Sequence, residues 1–139
     1  MHGASAVARN PERLKRIFYN NGLSNNGIYA LRLYVLGVPT TVTIDDQFPL
    51  VDGDSIFAAA SPDGALWGLL IEKSIAKVYG DYERIVGGDP RTSIEMLTGA
   101  PSNRYLHNDK TPLEIWNLIL EAEANGNMLS SSTPGTSNT

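Results

Sequence analysis

The stretch Ala65–Gly99, ALWGLLIEKSIAKVYGDYERIVGGDPRTSIEMLTG, constrains the fold of this chain more than any other. Trp67, Leu70, Ile71, Ile75 and Val78 recur at helical spacing, and Leu66, Leu69 and Tyr79 widen the stripe. Glu72, Lys73 and Lys77 sit beside it. A helix with so broad an apolar face is core scaffold. Gly80 is placed to stop it, because glycine tolerates the backbone conformation of a helix C-terminus. A Tyr82-Glu83 pair, a turn at Gly87-Gly88, a short second helix and Thr98-Gly99 follow.

The segment before this helix reads as β structure. Tyr29, Leu31, Leu33 and Val35 alternate with Ala30, Arg32 and Tyr34. Leu36-Gly37-Val38-Pro39 reads as a turn, after which Thr41 and Thr43 alternate with Val42 and Ile44. The pattern predicts an antiparallel hairpin with one buried face. Pro39 must lie at a strand start or edge, since it has no N–H for the ladder. Ile56, Phe57 and Ala58 suggest a third short strand. Ser61 or Asp63 is available to cap the helix that follows.

Upstream, Asn10-Pro11 predicts a short helix with Leu14, Ile17 and Phe18 on one face. Residues 1–10 carry little pattern and are expected to be disordered. Downstream of an irregular polar stretch, Thr111-Pro112 with Glu114 in the first turn is a strong helix start. Leu113, Trp116 and Leu120 line one face, and Asn125-Gly126 ends the helix. Met128-Leu129 could begin a strand. Residues 131–139 have too little apolar surface to order themselves. The expected fold class is α+β, a small antiparallel sheet packed with three or so helices.

Composition narrows function. The chain has 139 residues, enough for one domain with a core, and a net charge of −4. That balance argues against a general nucleic-acid surface, which needs clustered Lys and Arg. There is no cysteine, hence no disulfide, thiolate metal site or cysteine nucleophile in these residues; a cytoplasmic setting fits. No apolar run approaches membrane-spanning length.

The chemical candidates are few. His107, near Asp109, has the elements of a general base but stands in a polar loop without a nucleophile in recognisable context, which favours a surface role. Asp45, Asp46, Asp52 and Asp54 lack the ordered ligand spacing of a calcium loop and read as solvated turn carboxylates. Gly87-Gly88 lacks the Lys-Ser/Thr of a phosphate-binding loop and reads as a tight turn. Trp67 and Trp116 read as core anchors. The residues by themselves thus describe an α+β domain without declared chemistry.

The same residues resemble the calpain family of cysteine proteases. That family has a helix of the type FWSALLEKAYAK, then a Gly, a Ser-Tyr-Glu, a Gly-Gly and a Thr-Gly. Here Leu66–Lys77, Gly80, Asp81-Tyr82-Glu83, Gly87-Gly88 and Thr98-Gly99 follow at matching spacing. The family's GVYAFRF and WVDVVVDDRLP are similar to Gly27–Leu33 and Val42–Pro49, and Pro112–Leu129 resembles a later segment ending GSLL. The resemblance covers most of residues 27–130. It implies part of a papain-like, two-lobed calpain protease core. Residues 1–99 would be the later part of the first lobe, residues 100–130 the start of the second, and 131–139 a tail.

The resemblance also implies what these residues lack. The family mechanism uses a thiolate, a histidine base and an orienting asparagine. Its nucleophile lies in a helix upstream of the hairpin, in a Gly-Asp-Cys-Trp context, and its His and Asn follow the GSLL segment. No triad member carries over, and His107 precedes the matching position. The family binds calcium through a glutamate just before the Phe-Trp of the helix; the matching position is Ala65, so no metal ligand or cofactor is carried over. The second glycine of the Gly-Gly pair contacts substrate backbone in the family, which assigns that role to Gly88. The implied partner is a protein or peptide. Self-association is expected if apolar surface stays uncovered. Catalysis by this chain alone is not expected; the alternative is a catalytically inactive calpain-like domain that binds or scaffolds.

Overall fold

The computed structural model of the chain describes residues 2–20, 22–51, 54–55, 64–85 and 89–131. The chain divides into two compact units, Met1–Ser102 and Asn103–Thr139.

The first unit is built on the hairpin. Strand β1 (Ile28–Val35) pairs antiparallel with β2 (Val38–Asp45), from Ile28 opposite Asp45 to Val35 opposite Val38. The turn is only Leu36-Gly37, tighter than the four-residue turn read from sequence; Leu36 has φ 51° and Gly37 φ 79°. Val38 and Pro39 are already strand. Antiparallel ladders alternate bonded and non-bonded pairs. Asp46 N–H donates to the Gly27 carbonyl, so the bonded pairs on β1 are the odd-numbered ones. Pro39 faces Tyr34, a non-bonded pair, and its missing N–H costs the ladder nothing.

The alternation read from sequence places Tyr29, Leu31, Leu33, Val42 and Ile44 in the core. Helix α2 (Pro11–Ile17) is capped by Asn10, whose side-chain oxygen accepts from Glu12 N–H at 3.0 Å, and buries Ile17. Phe18 then bridges to Leu31. A minor hairpin, β3 (Leu50–Val51) with β4 (Asp54–Ser55), follows β2. The third strand expected at Ile56–Ala58 and the caps expected at Ser61 and Asp63 lie outside the described residues.

Helix α3 (Trp67–Tyr79) packs on β2 and β1 through Leu69, Leu70, Ile71, Ile75 and Ala76. It ends at Gly80, whose N–H donates to the Ala76 carbonyl at 2.8 Å. A 3-10 turn (Glu83–Ile85) precedes helix α4 (Pro90–Thr98), which buries Ile94, Met96 and Leu97 against β1.

Residues His2–Ala8 form a helix, α1, where the sequence reading expected disorder. Ala4 and Val7 are fully buried. The run of small residues hid this, because tight helix packing here needs smallness rather than a large apolar stripe. A β-carbon at Gly3 would lie 2.7 Å from both the Pro90 carbonyl oxygen and Ser93 Cβ. Only glycine lets α1 approach α4 so closely.

The second unit holds helix α5 (Pro112–Ala124). It starts where the sequence predicts, and the start is a capping box: Thr111 Oγ1 accepts from Glu114 N–H at 3.3 Å, and Glu114 Oε2 accepts from Thr111 N–H at 2.7 Å. No residue of α5 is buried, and Leu113, Trp116, Ile119 and Leu120 are exposed. Trp116 is therefore not a core anchor in the described unit. No strand forms at Met128-Leu129. A strand needs a partner to fill its hydrogen bonds, and the described part of this unit has no other. Among the described residues the architecture is α+β: five α-helices with one long and one minor two-stranded antiparallel hairpin.

Candidate functional site

Gly88, the position assigned to substrate contact by resemblance, lies outside the described residues, as does Gly87. The two ends of the segment that carries them are described, and both are tied down. On the α3 side, Asp81 Oδ1 accepts from Arg84 N–H at 2.8 Å and its other oxygen pairs with Arg84 Nε at 3.2 Å. On the α4 side, Asp89 caps the helix by accepting from Arg91 N–H at 3.0 Å. The Arg91 guanidinium grips the second oxygen of Asp89 with Nε at 3.0 Å and Nη2 at 2.7 Å. The sequence motif around the double glycine thus starts from an Asp-anchored turn and ends on an Asp-anchored cap.

Beside this segment lies a cavity of about 240 Å³, lined by Ile44, Asp45, Lys73, Ala76, Lys77, Gly80, Asp81 and Tyr82. Two lysines one helical turn apart on α3 build its wall. Lys77 Nζ donates to the Thr43 carbonyl at 2.6 Å. Lys73 Nζ reaches the Asp45 carboxylate and the Gln47 carbonyl and lies 5.6 Å from the Phe48 ring centroid. The Lys73 ammonium, followed by the Gln47 N–H, holds the Asp45 carboxyl below its usual range. Burial pushes the Tyr82 phenol up, and the Glu72 and Asp45 charges add to that. Glu72 is a buried carboxylate on the same helix, 3% exposed.

These groups join α3 to the strand edge and the Asp45–Phe48 loop; they contain no paired nucleophile and base. Sequence periodicity placed Glu72, Lys73 and Lys77 beside the apolar stripe and so missed their roles. The contacts of the two lysines lie 26 to 34 residues away in the chain, beyond the reach of local pattern.

The other sequence candidates are dispersed. Asp45 is engaged by Lys73, Asp46 lies at the hairpin entrance against Gly27, and Asp52 lies outside the described residues. No group of three or more His, Cys, Asp or Glu residues suited to a metal occurs among the described residues. His107 is exposed in the turn Leu106–Asp109 of the second unit, the surface placement expected of it. No helix among the described residues is long and apolar enough to cross a membrane.

Comparison with known proteins adds what geometry leaves open. A family model described as "Calpain family cysteine protease" matches residues 1–139. The calpain-1 catalytic subunit of Bos taurus is 34% identical over 103 residues, covering 74% of this chain and 14% of that protein. The human calpain-1 catalytic subunit is 32% identical over 111 residues, 80% of this chain and 15% of that protein. The human calpain-2 catalytic subunit is 29% identical over 136 residues, 96% of this chain and 19% of that protein. With the α+β hairpin and spine helix, these matches define part of a cysteine-protease core. The chain belongs to the calpain family. It spans between about one-seventh and one-fifth of the length of these relatives.

Proposed function

We propose that this chain is a segment of a calpain-type cysteine endopeptidase core that supplies scaffold and substrate-backbone contact rather than the bond-breaking groups. One observation carries the reading: a calpain-family sequence of 139 residues contains no cysteine. Thiolate chemistry needs the sulfur, a base within hydrogen-bond reach and a residue to orient that base. His107, the one candidate base read from the sequence, stands exposed in a polar turn, with no thiol in the chain to activate.

In this reading α3 and the hairpin hold the turn that carries Gly88, and Gly88 offers its backbone to an extended peptide. Residues up to about Gly99 form the later part of the first lobe and residues from Ala100 begin the second. The division of the chain between Ser102 and Asn103 supports that boundary. The setting is cytoplasmic and the partner a protein or peptide.

The test is peptidase activity. Purified chain is incubated with a fluorogenic peptide and calcium, with and without a thiol-directed inhibitor. No cleavage is expected, and robust inhibitor-sensitive cleavage would overturn the proposal. The alternative of a calpain-like binding or scaffold module is favoured by Ala65 standing at the calcium-ligand position. The full reading frame separates the two: a Gly-Asp-Cys-Trp segment upstream with a His and an Asn downstream supports the protease, and their absence supports the module. The exposed apolar face of α5 supports self-association of the isolated chain, which sedimentation velocity reads directly.

A further inference from the structure

A polar cluster on the solvent side of the hairpin takes no part in the site above. Tyr19 follows α2 and is pinned to β1, its N–H donating to the Ala30 carbonyl at 3.0 Å. Its hydroxyl lies 3.2 Å from Thr41 Oγ1 on β2. The same oxygen accepts from Arg32 Nε on β1 at 3.3 Å, and the guanidinium carbon stands 5.0 Å from the ring centroid. A guanidinium donor from β1 and a hydroxyl from β2, which can donate to the charged form, thus converge on the phenol oxygen of a half-exposed tyrosine.

We propose that Tyr19 is a nucleophilic tyrosine, a site for covalent modification at oxygen by an activated sulfonyl group. The phenolate is the attacking species, and Arg32 and Thr41 hydrogen-bond that charged form. The Thr41 hydroxyl and then the Arg32 guanidinium hold the Tyr19 phenol below its usual range. The charged group facing Tyr19 is Arg32, which also feels the more distant Tyr34; Thr41 is an uncharged hydrogen-bond partner. In the reaction the Tyr19 oxygen forms a bond to sulfur, the sulfur–fluorine bond of an aryl sulfonyl fluoride breaks, fluoride leaves and the phenolic proton passes to buffer.

Tyr105 is the internal comparison. It is 49% exposed against 51% for Tyr19, so access does not separate them. Lys110 lies over its ring, 5.4 Å from the centroid, and among the described residues none hydrogen-bonds its hydroxyl. The experiment treats the whole chain with an aryl sulfonyl fluoride across a pH series and follows each tyrosine by peptide mass spectrometry. Tyr19 is expected to label several-fold faster than Tyr105, with its rate climbing as pH increases but starting that climb at a lower pH than Tyr105 does. Arg32→Gln and Thr41→Val should each slow Tyr19 and move its pH profile upward, leaving Tyr105 unchanged; Tyr19→Phe removes the label. Circular dichroism confirms that the variants fold, and the wild-type comparison stands without them. Equal labelling of Tyr19 and Tyr105, or variants that leave the Tyr19 profile in place, would overturn the assignment.

Discussion

Leu36 occupies a conformation that leucine disfavours, and replacing it should stabilise the hairpin. The two-residue turn requires positive φ at both Leu36 and Gly37, and Leu36 sits at 51°. For an L-residue with a β-carbon this conformation costs roughly 1–2 kcal/mol, less for asparagine, whose short polar side chain bonds locally. The Leu36 side chain is 99% exposed, so its removal sacrifices no packing. Leu36→Asn should therefore gain about 1 kcal/mol. Leu36→Gly should gain less, since glycine also loosens the unfolded chain. Gly37→Ala, at φ 79°, should lose roughly 1–2 kcal/mol. Urea unfolding reads the effect from Trp67 fluorescence in a Trp116→Phe background, which restricts the signal to the first unit. With a slope of roughly 1–3 kcal/mol per molar urea, the Leu36→Asn midpoint should rise by about half a molar. A midpoint that is unchanged or lower for Leu36→Asn, together with a tolerated Gly37→Ala, would refute the reasoning.

Four further outcomes follow from the same structure. Ile71 is fully buried where α3 meets the hairpin, and Ile71→Ala should cost about 2–5 kcal/mol in urea unfolding. Thr111→Ala removes one arm of the capping box and should cost α5 about 1 kcal/mol, read as lost helical ellipticity. The Thr111 backbone N–H, then its hydroxyl, lowers the Glu114 carboxyl below its ordinary value of 4.5. Its contribution to α5 is full above that value and is lost as pH falls through the lower folded-state value, so ellipticity of the second unit should drop in acid and Glu114→Gln should blunt the drop. If the family resemblance aligns Ala65 with a calcium ligand, as proposed, calcium at millimolar concentration should leave the unfolding midpoint unmoved; a tight isotherm by calorimetry would contradict this.

The sequence reveals the frame of this chain because its frame is made of local patterns. Alternation in β1 and β2, the stripe of α3, and the paired Thr111 and Glu114 of α5 each depend on residues a few positions apart. What it conceals depends on shape or distance. Helix α1 is held by small residues that fit close to α4, and no periodicity of large side chains announces it. The Arg32–Tyr19–Thr41 cluster joins positions 13 and 22 residues from Tyr19. The Lys73 and Lys77 contacts are longer still. The helix stripe and the charged residues beside it therefore have separate duties: the stripe fixes where α3 lies on the hairpin, and the lysines fix the strand edge and the Asp45–Phe48 loop to α3. The scaffold so braced carries the described ends of the double-glycine segment, Asp81 and Asp89, each tied down by an arginine. Packing and bracing of this kind need no thiol, which is why this part of a calpain-family core is legible in 139 residues without a cysteine.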